Sequence, residues 1–198
     1  MDKQHISPVR LILWVTAAAI CNILLNTLFE RILHFPLFMD TVFTVAITFA
    51  FGTVPGLITA CFTTAVLSVL RCYEPISYLY VLCSFSEVFL TAWFCRYCRN
   101  FKKDRTIILI NLFLLSVLMA FIVSIIGGVI NTICNLTPDF LQKTVAPTDM
   151  LELSLLRAGF PELWASILAR IPTNLIDRPV TVFGSYALVQ LLTRKKEL

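Results

Sequence analysis

Long runs without a charge alternate along this chain with short segments where the charges collect. A helix that crosses the roughly 30 Å hydrocarbon core of a bilayer needs about 20 mostly apolar residues. Leu11–Phe29 is the first such run and predicts a helix over about 9–30. The next, Thr41–Leu70, is interrupted by Gly52-Thr-Val-Pro55-Gly56. Clustered Gly and Pro make turns, so two helices are expected, at about 41–52 and 55–70. Further helices are predicted at about 75–95, 106–130 and 172–192. Residues 150–170, in front of the last, read as an amphipathic segment on the outer surface. The expected fold class is an all-α integral membrane protein: a single membrane domain over 1–198 built as a six-transmembrane-helix bundle.

Polar residues recur inside these runs at helical spacing. Tyr80, Ser84, Glu87 and Thr91 follow one another at intervals of 4, 3 and 4, which puts all of them on one face of the fourth helix. Arg170, Asn174, Asp177 with Arg178, Thr181 and Ser185 form a matching stripe on the last. Pro179 removes the hydrogen bond to the Leu175 carbonyl, and a broken helix at membrane depth is tolerated where it lines a polar cavity or packs on protein. Asn22 and Asn26, then Thr41, Thr44 and Thr48, then Thr59 and Thr63 supply milder stripes on the first three helices. Glu87 and Asp177 against Arg170 and Arg178 sum to zero, so these groups can neutralise one another. Ionisable residues in a bilayer are costly, and either serve a site or hold each other in place. On the first alternative a polar cavity, open outward, binds a small molecule through Glu87, Arg170, Asn174, Asp177 and Arg178, with Tyr80, Ser84 and Trp164 as wall or lid. On the second, the charges form conformation-fixing ion pairs without a ligand.

Composition supports the bilayer setting and removes other classes. Hydrophobic residues make up 58% and charged residues 14% of the chain, against roughly 45–50% and 25% in soluble domains. No interval of ordinary composition is long enough for a separate soluble domain of about 50 residues. Basic residues mark the cytoplasmic side. With six spans the inner segments, including Arg96–Arg105 and the tail from Arg194, carry +7 and the outer ones −3, which places both termini inside. Trp14 and Trp93 then fall near inner ends, and Tyr73, Tyr78 and Trp164 near outer ends, as interfacial aromatics do. The first helix is expected to be retained, because no small-x-small cleavage site follows it.

The seven cysteines are odd in number and mostly inside predicted spans, which is no disulfide framework. Cys95-Arg-Tyr-Cys98 has redox or half-zinc spacing, but a zinc site needs about four ligands and no second CxxC or His pair exists. Lys195-Lys196 has the form of a dilysine signal and Asn135-Leu-Thr137 that of a glycosylation sequon; a positive-inside anchor and a Pro138-disfavoured sequon are the plainer readings. Walker, HExxH and GxSxG motifs are absent from the sequence, and His5 and His34 sit at opposite ends of the first helix. No enzyme, cofactor, metal or nucleic-acid partner is expected.

The segment Phe35-Pro-Leu-Phe-Met-Asp40-Thr-Val-Phe-Thr-Val-Ala, with Phe51-Gly52-Thr-Val-Pro55-Gly56, resembles the start of the second and third helices of substrate-binding (S) components of energy-coupling-factor (ECF) vitamin transporters and related membrane modules. Ile171-Pro172-Thr-Asn174-Leu-Ile-Asp177 resembles their last helix. The resemblance covers nearly the whole chain. It implies a six-helix bundle in the bacterial cytoplasmic membrane that captures a vitamin or similar small molecule. Such a bundle topples in the lipid when docked on a coupling transmembrane subunit driven by two cytoplasmic ATPases. It also implies that small residues of the first helix, here Ala17, Ala18 and Cys21, meet the coupling subunit; packing within the chain explains them equally well. The alternative is a membrane-embedded sensor or assembly module without transport activity.

Overall fold

The computed structural model describes residues 7–33, 35, 37–70, 75–98, 105–136 and 147–194. Cys72, Tyr73, Thr137 of the sequon, the basic residues at 99, 102 and 103, and Lys195 and Lys196 lie outside the described residues. Everything described is helix or short connection, with no strand among those residues. The helices are α1 (Pro8–Thr27), α2 (Val42–Phe51), α3 (Thr53–Leu70), α4 (Val81–Cys98), α5 (Arg105–Asn135), α6 (Pro147–Arg157) and α7 (Glu162–Arg194). A π turn over Leu28–Ile32 extends α1, and a 3-10 segment over Pro75–Tyr80 leads into α4. Among the described residues four stretches are long and apolar enough to cross a membrane: Pro8–Glu30, Thr53–Leu70, Tyr78–Cys98 and Arg105–Asn135. Their outward faces carry side chains such as Leu13, Leu24, Phe62, Phe113 and Ile125, all exposed, as a lipid-facing surface requires.

The break between α2 and α3 is a single residue. Gly52 takes φ +93°, where a Cβ would be strained, and α3 starts at once. Gly56 then lets α3 lie against α2: a Cβ there would stand 2.1 Å from Thr48 Oγ1. At 10 residues α2 rises about 15 Å, half a bilayer core. It packs on α1, α3, α4 and α7, and Val42, Thr44, Val45, Ala46, Ile47 and Thr48 are all buried. It is an apolar core helix clasped by its neighbours rather than a lipid-facing one. Asn22 of α1 fixes its start, giving Nδ2 to Thr44 Oγ1 at 2.9 Å and accepting from the Phe43 N–H at 2.9 Å, one of the amides a helix N-terminus leaves without an internal partner.

The C-terminal third differs from the sequence expectation. The amphipathic segment expected over 150–170 is two elements, because Gly159 at φ +88° ends α6. Phe160 N–H donates to Leu155 O at 3.1 Å and Gly159 N–H to Leu156 O at 3.0 Å, the paired bonds of a Schellman turn. The final helix begins at Glu162 instead of 172 and runs through Pro172 and Pro179 for 33 residues, about 50 Å. Its packing against α5, the most extensive in the molecule, offsets the roughly 3 kcal/mol a helix-interior proline costs. Gly128 permits the approach, since a Cβ there would come within 2.9 Å of Ile167 backbone. The interior is divided along its length. Phe94, Leu112, Leu115, Met119 and Val182 form an apolar cluster, with Phe49 edge-on to Phe94 and Tyr186 at 6.2 Å. On the same helices, Glu87, Ser124, Asn131, Asn174 and Asp177 occupy the other half of the interior.

Candidate functional site

Two buried ionic networks lie along α7. In the first, Arg178 Nη1 donates to Thr41 Oγ1 at 2.9 Å and to Glu87 Oε1, while Nη2 stands 2.8 Å from Asp177 Oδ2. The Met39 N–H donates to Asp177 Oδ1 at 3.3 Å. Met39 itself takes φ +47°, uncommon for a residue other than glycine, and so turns the chain into α2 beside this carboxylate. Asp40, the next residue, interacts electrostatically with Glu87, Asp177 and Arg178. Adjacent residues of a helix point about 100° apart. Asp177 and Arg178 are both buried because α7 is covered by α5 on one side and α2 on another.

Asn174, one turn before Arg178, gives Nδ2 to Ser124 Oγ of α5 at 2.9 Å. Ser124 spends its own hydrogen on Ala120 O at 2.7 Å, so it can only accept, and the Asn174 amide must keep Oδ1 on the other side. That oxygen has no partner. Neither do Glu87 Oε2, Arg178 Nε and Thr181 Oγ1, and Asp177 Oδ2 meets Arg178 as an ion pair without hydrogen-bond geometry. Every unpartnered buried side-chain atom among the described residues lies on Glu87 of α4 or on the two turns of α7 from Asn174 to Thr181.

The second network joins α5, α6 and α7. Asn131 Nδ2 donates to Glu152 Oε1 at 2.9 Å and to Ser166 Oγ at 3.2 Å; Ser166 Oγ donates to Glu152 Oε1. Arg170 Nη1 donates to Ser166 O at 3.0 Å and reaches Glu152 Oε2 at 3.4 Å. Tyr80 OH donates to Asn131 Oδ1 at 3.3 Å. Gly127 leaves room for the arginine, whose Cδ would lie 3.4 Å from a Cβ there.

The residues expected to share one site are thus divided. Glu87, Asp177 and Arg178 come together, with Asn174 one turn earlier on the same face of α7 and bonded to Ser124; Arg170 and Tyr80 belong to the second network, with Glu152 as the carboxylate. Ser84 is buried one turn before Glu87. Trp164 is 56% exposed and stands outside both networks. On α1, Ala18 is buried against the bundle, Cys21 is half-buried and Ala17 faces outward. The cysteines described are free thiols, and no group of His, Cys, Asp and Glu among the described residues could hold a metal ion.

Thr41, Ser124, Asn131, Glu152 and Ser166 were not among the residues expected from the sequence to form the site. Ser124, Gly127 and Asn131 do follow one another at 3 and 4 on α5, the same face signal as on α4 and α7. Comparison with known proteins adds no assignment: no family model, no curated protein and no solved structure matches this chain.

Proposed function

We propose that the chain is the substrate-capturing membrane subunit of an uptake transporter of the energy-coupling-factor type, binding a vitamin-sized small molecule at Glu87, Arg178, Asp177 and Asn174. In this reading α7 crosses beside α1, α3, α4 and α5, the short α2 is the sixth membrane helix of the bundle, and both termini face the cytoplasm of a bacterium. One observation carries the proposal. The unpartnered buried side-chain atoms among the described residues are confined to two facing helices, Glu87 on α4 and the stretch from Asn174 to Thr181 on α7, around an arginine paired with two carboxylates. Each buried polar group left without a partner costs about 1–3 kcal/mol, and more when charged. A bundle that keeps several together is organised to receive something that satisfies them. Purely structural ion pairs would be closed, as the Glu152 network is.

The chain has no nucleotide motif, so energy for transport comes from partners, and the outward Ala17 with its neighbours on α1 is the surface proposed for the coupling subunit. The test is gentle extraction of the protein from its own host, followed by native mass spectrometry. A bound small molecule, lost on Glu87→Gln, together with recovered ATPase subunits supports capture for transport. Recovery of a signalling partner and no ATPase would instead favour a sensor, and an empty, partnerless protein would sink both.

A further inference from the structure

The atoms left unpartnered in the first network are unequal in kind. Glu87 Oε2 and Asn174 Oδ1 can only accept, the latter because Ser124 fixes the amide orientation. Asp177 Oδ2 accepts no hydrogen bond. Against these stand a single obligatory donor, Arg178 Nε, and two hydroxyls: that of Thr181, which can do either, and that of Thr41, which accepts from Arg178 and turns its hydrogen toward Glu87. Charge leans the same way. Glu87 and Asp177 both pair with Arg178 and Asp40 adds its charge to the same surroundings, the other arginine at this depth being committed to Glu152. An anion bonded to Arg178 Nε would stand beside two buried carboxylates that repel it, and one that took the whole guanidinium would leave them buried unpaired, the expensive way to break a buried pair. A positively charged group carrying several N–H donors answers both deficits together.

We infer that the ligand taken at Glu87, Asp177 and Asn174 is a small organic cation with N–H donors, of the amidinium or ammonium class. This rests on the capture reading and narrows it to one substrate chemistry. Glu87 and Asp177 each receive a charge-assisted hydrogen bond, Asn174 Oδ1 accepts a third, and Arg178 stays paired with both carboxylates.

Three isosteric probes test it on the intact purified protein: acetamidinium chloride, sodium acetate and acetamide, at equal ionic strength beside sodium chloride. Acetamidinium at about ten times its Kd is expected to raise the thermal midpoint by roughly 3–6 °C, with no rise in the other three. The rise disappears in Glu87→Gln and persists in Glu152→Gln. A rise with acetate, an equal rise with sodium chloride alone, or no difference among the four overturns the inference, and the wild-type ranking decides even if Glu87→Gln fails to fold. Mass spectrometry of the molecule carried through purification separates the two failures. An anionic or neutral molecule bound at this site removes the cation class and leaves capture standing. No bound molecule and no transport partner removes capture itself.

Discussion

Arg170 and Arg178 stand on the same helix, eight residues apart, each against a buried glutamate from another helix. Around Arg170 the accounts are closed. One carboxylate faces one guanidinium, Asn131 and Ser166 supply the remaining donors, and no buried atom there lacks a partner. Around Arg178 they are open, with carboxylates in excess and acceptors idle. A closed network fastens α6 to α5 and α7. An open one, in a bundle whose other half packs aliphatic and aromatic side chains, leaves polar groups buried at a cost that packing alone does not repay. Burial and charge alone do not separate the two. The count of unsatisfied donors and acceptors does.

Removing each arginine should give the largest contrast. Arg178→Met strands Glu87 and Asp177 with no cation, and breaking a buried pair from one side costs about 3–5 kcal/mol. The expected result is loss of most folded protein, read as the monodisperse fraction after detergent extraction. Arg170→Met leaves Glu152 with Asn131 and Ser166 still donating, so about 1–3 kcal/mol is expected and folded protein should survive. Equal effects would erase the distinction between the networks.

The glutamates sharpen it by function. Glu87→Gln removes a charge from a site with too many and should leave the thermal midpoint unchanged or higher, while ligand affinity falls roughly 10- to 150-fold, the worth of one hydrogen bond to a charged group. Glu152→Gln should do the reverse: a lower midpoint, more rapid protease cleavage around α6, and unchanged affinity. Both are read from melting curves and a titration with acetamidinium. Trp164→Ala should move neither quantity by more than about 0.5 kcal/mol, since the ring is exposed and outside both networks.

How much of this could be read from the sequence follows from which forces are periodic. The stripes on α4 and α7 were legible because helical spacing alone puts Glu87 with Thr91, and Asn174 with Asp177 and Thr181, on one face. The Gly52 break was legible from turn chemistry. Which arginine meets Glu87 was not, because that depends on the relative height of two helices distant in the chain. By sequence Glu152 falls in the outer amphipathic segment 150–170, where an acid ordinarily faces solvent. Only the Schellman turn at Gly159, folding α6 back on α7, carries it inside. The pattern of charges puts the start of the last helix at about 172, after the segment 150–170; packing against α5 carries the helix back to Glu162 and through Pro172.

Single hydroxyls give the sharpest contrast, because the two networks predict opposite signs. Thr181 Oγ1 is buried with no partner, and Ser166 Oγ is buried with two. Thr181→Val keeps the shape and removes a hydroxyl that satisfies nothing, so without ligand the protein should gain about 1 kcal/mol, roughly 2–4 °C in the melting midpoint. Ser166→Ala takes a donor from Glu152 and an acceptor from Asn131, and should lose about the same. With saturating ligand the Thr181→Val gain should shrink, since the hydroxyl then has something to bond in wild type and the variant forgoes it. A loss on Thr181→Val in the absence of ligand would mean that its hydroxyl is already satisfied and the network around Arg178 is as closed as the other. The difference in sign between these substitutions therefore measures what the geometry distinguishes: polar groups that hold the fold together, and polar groups that the fold holds ready.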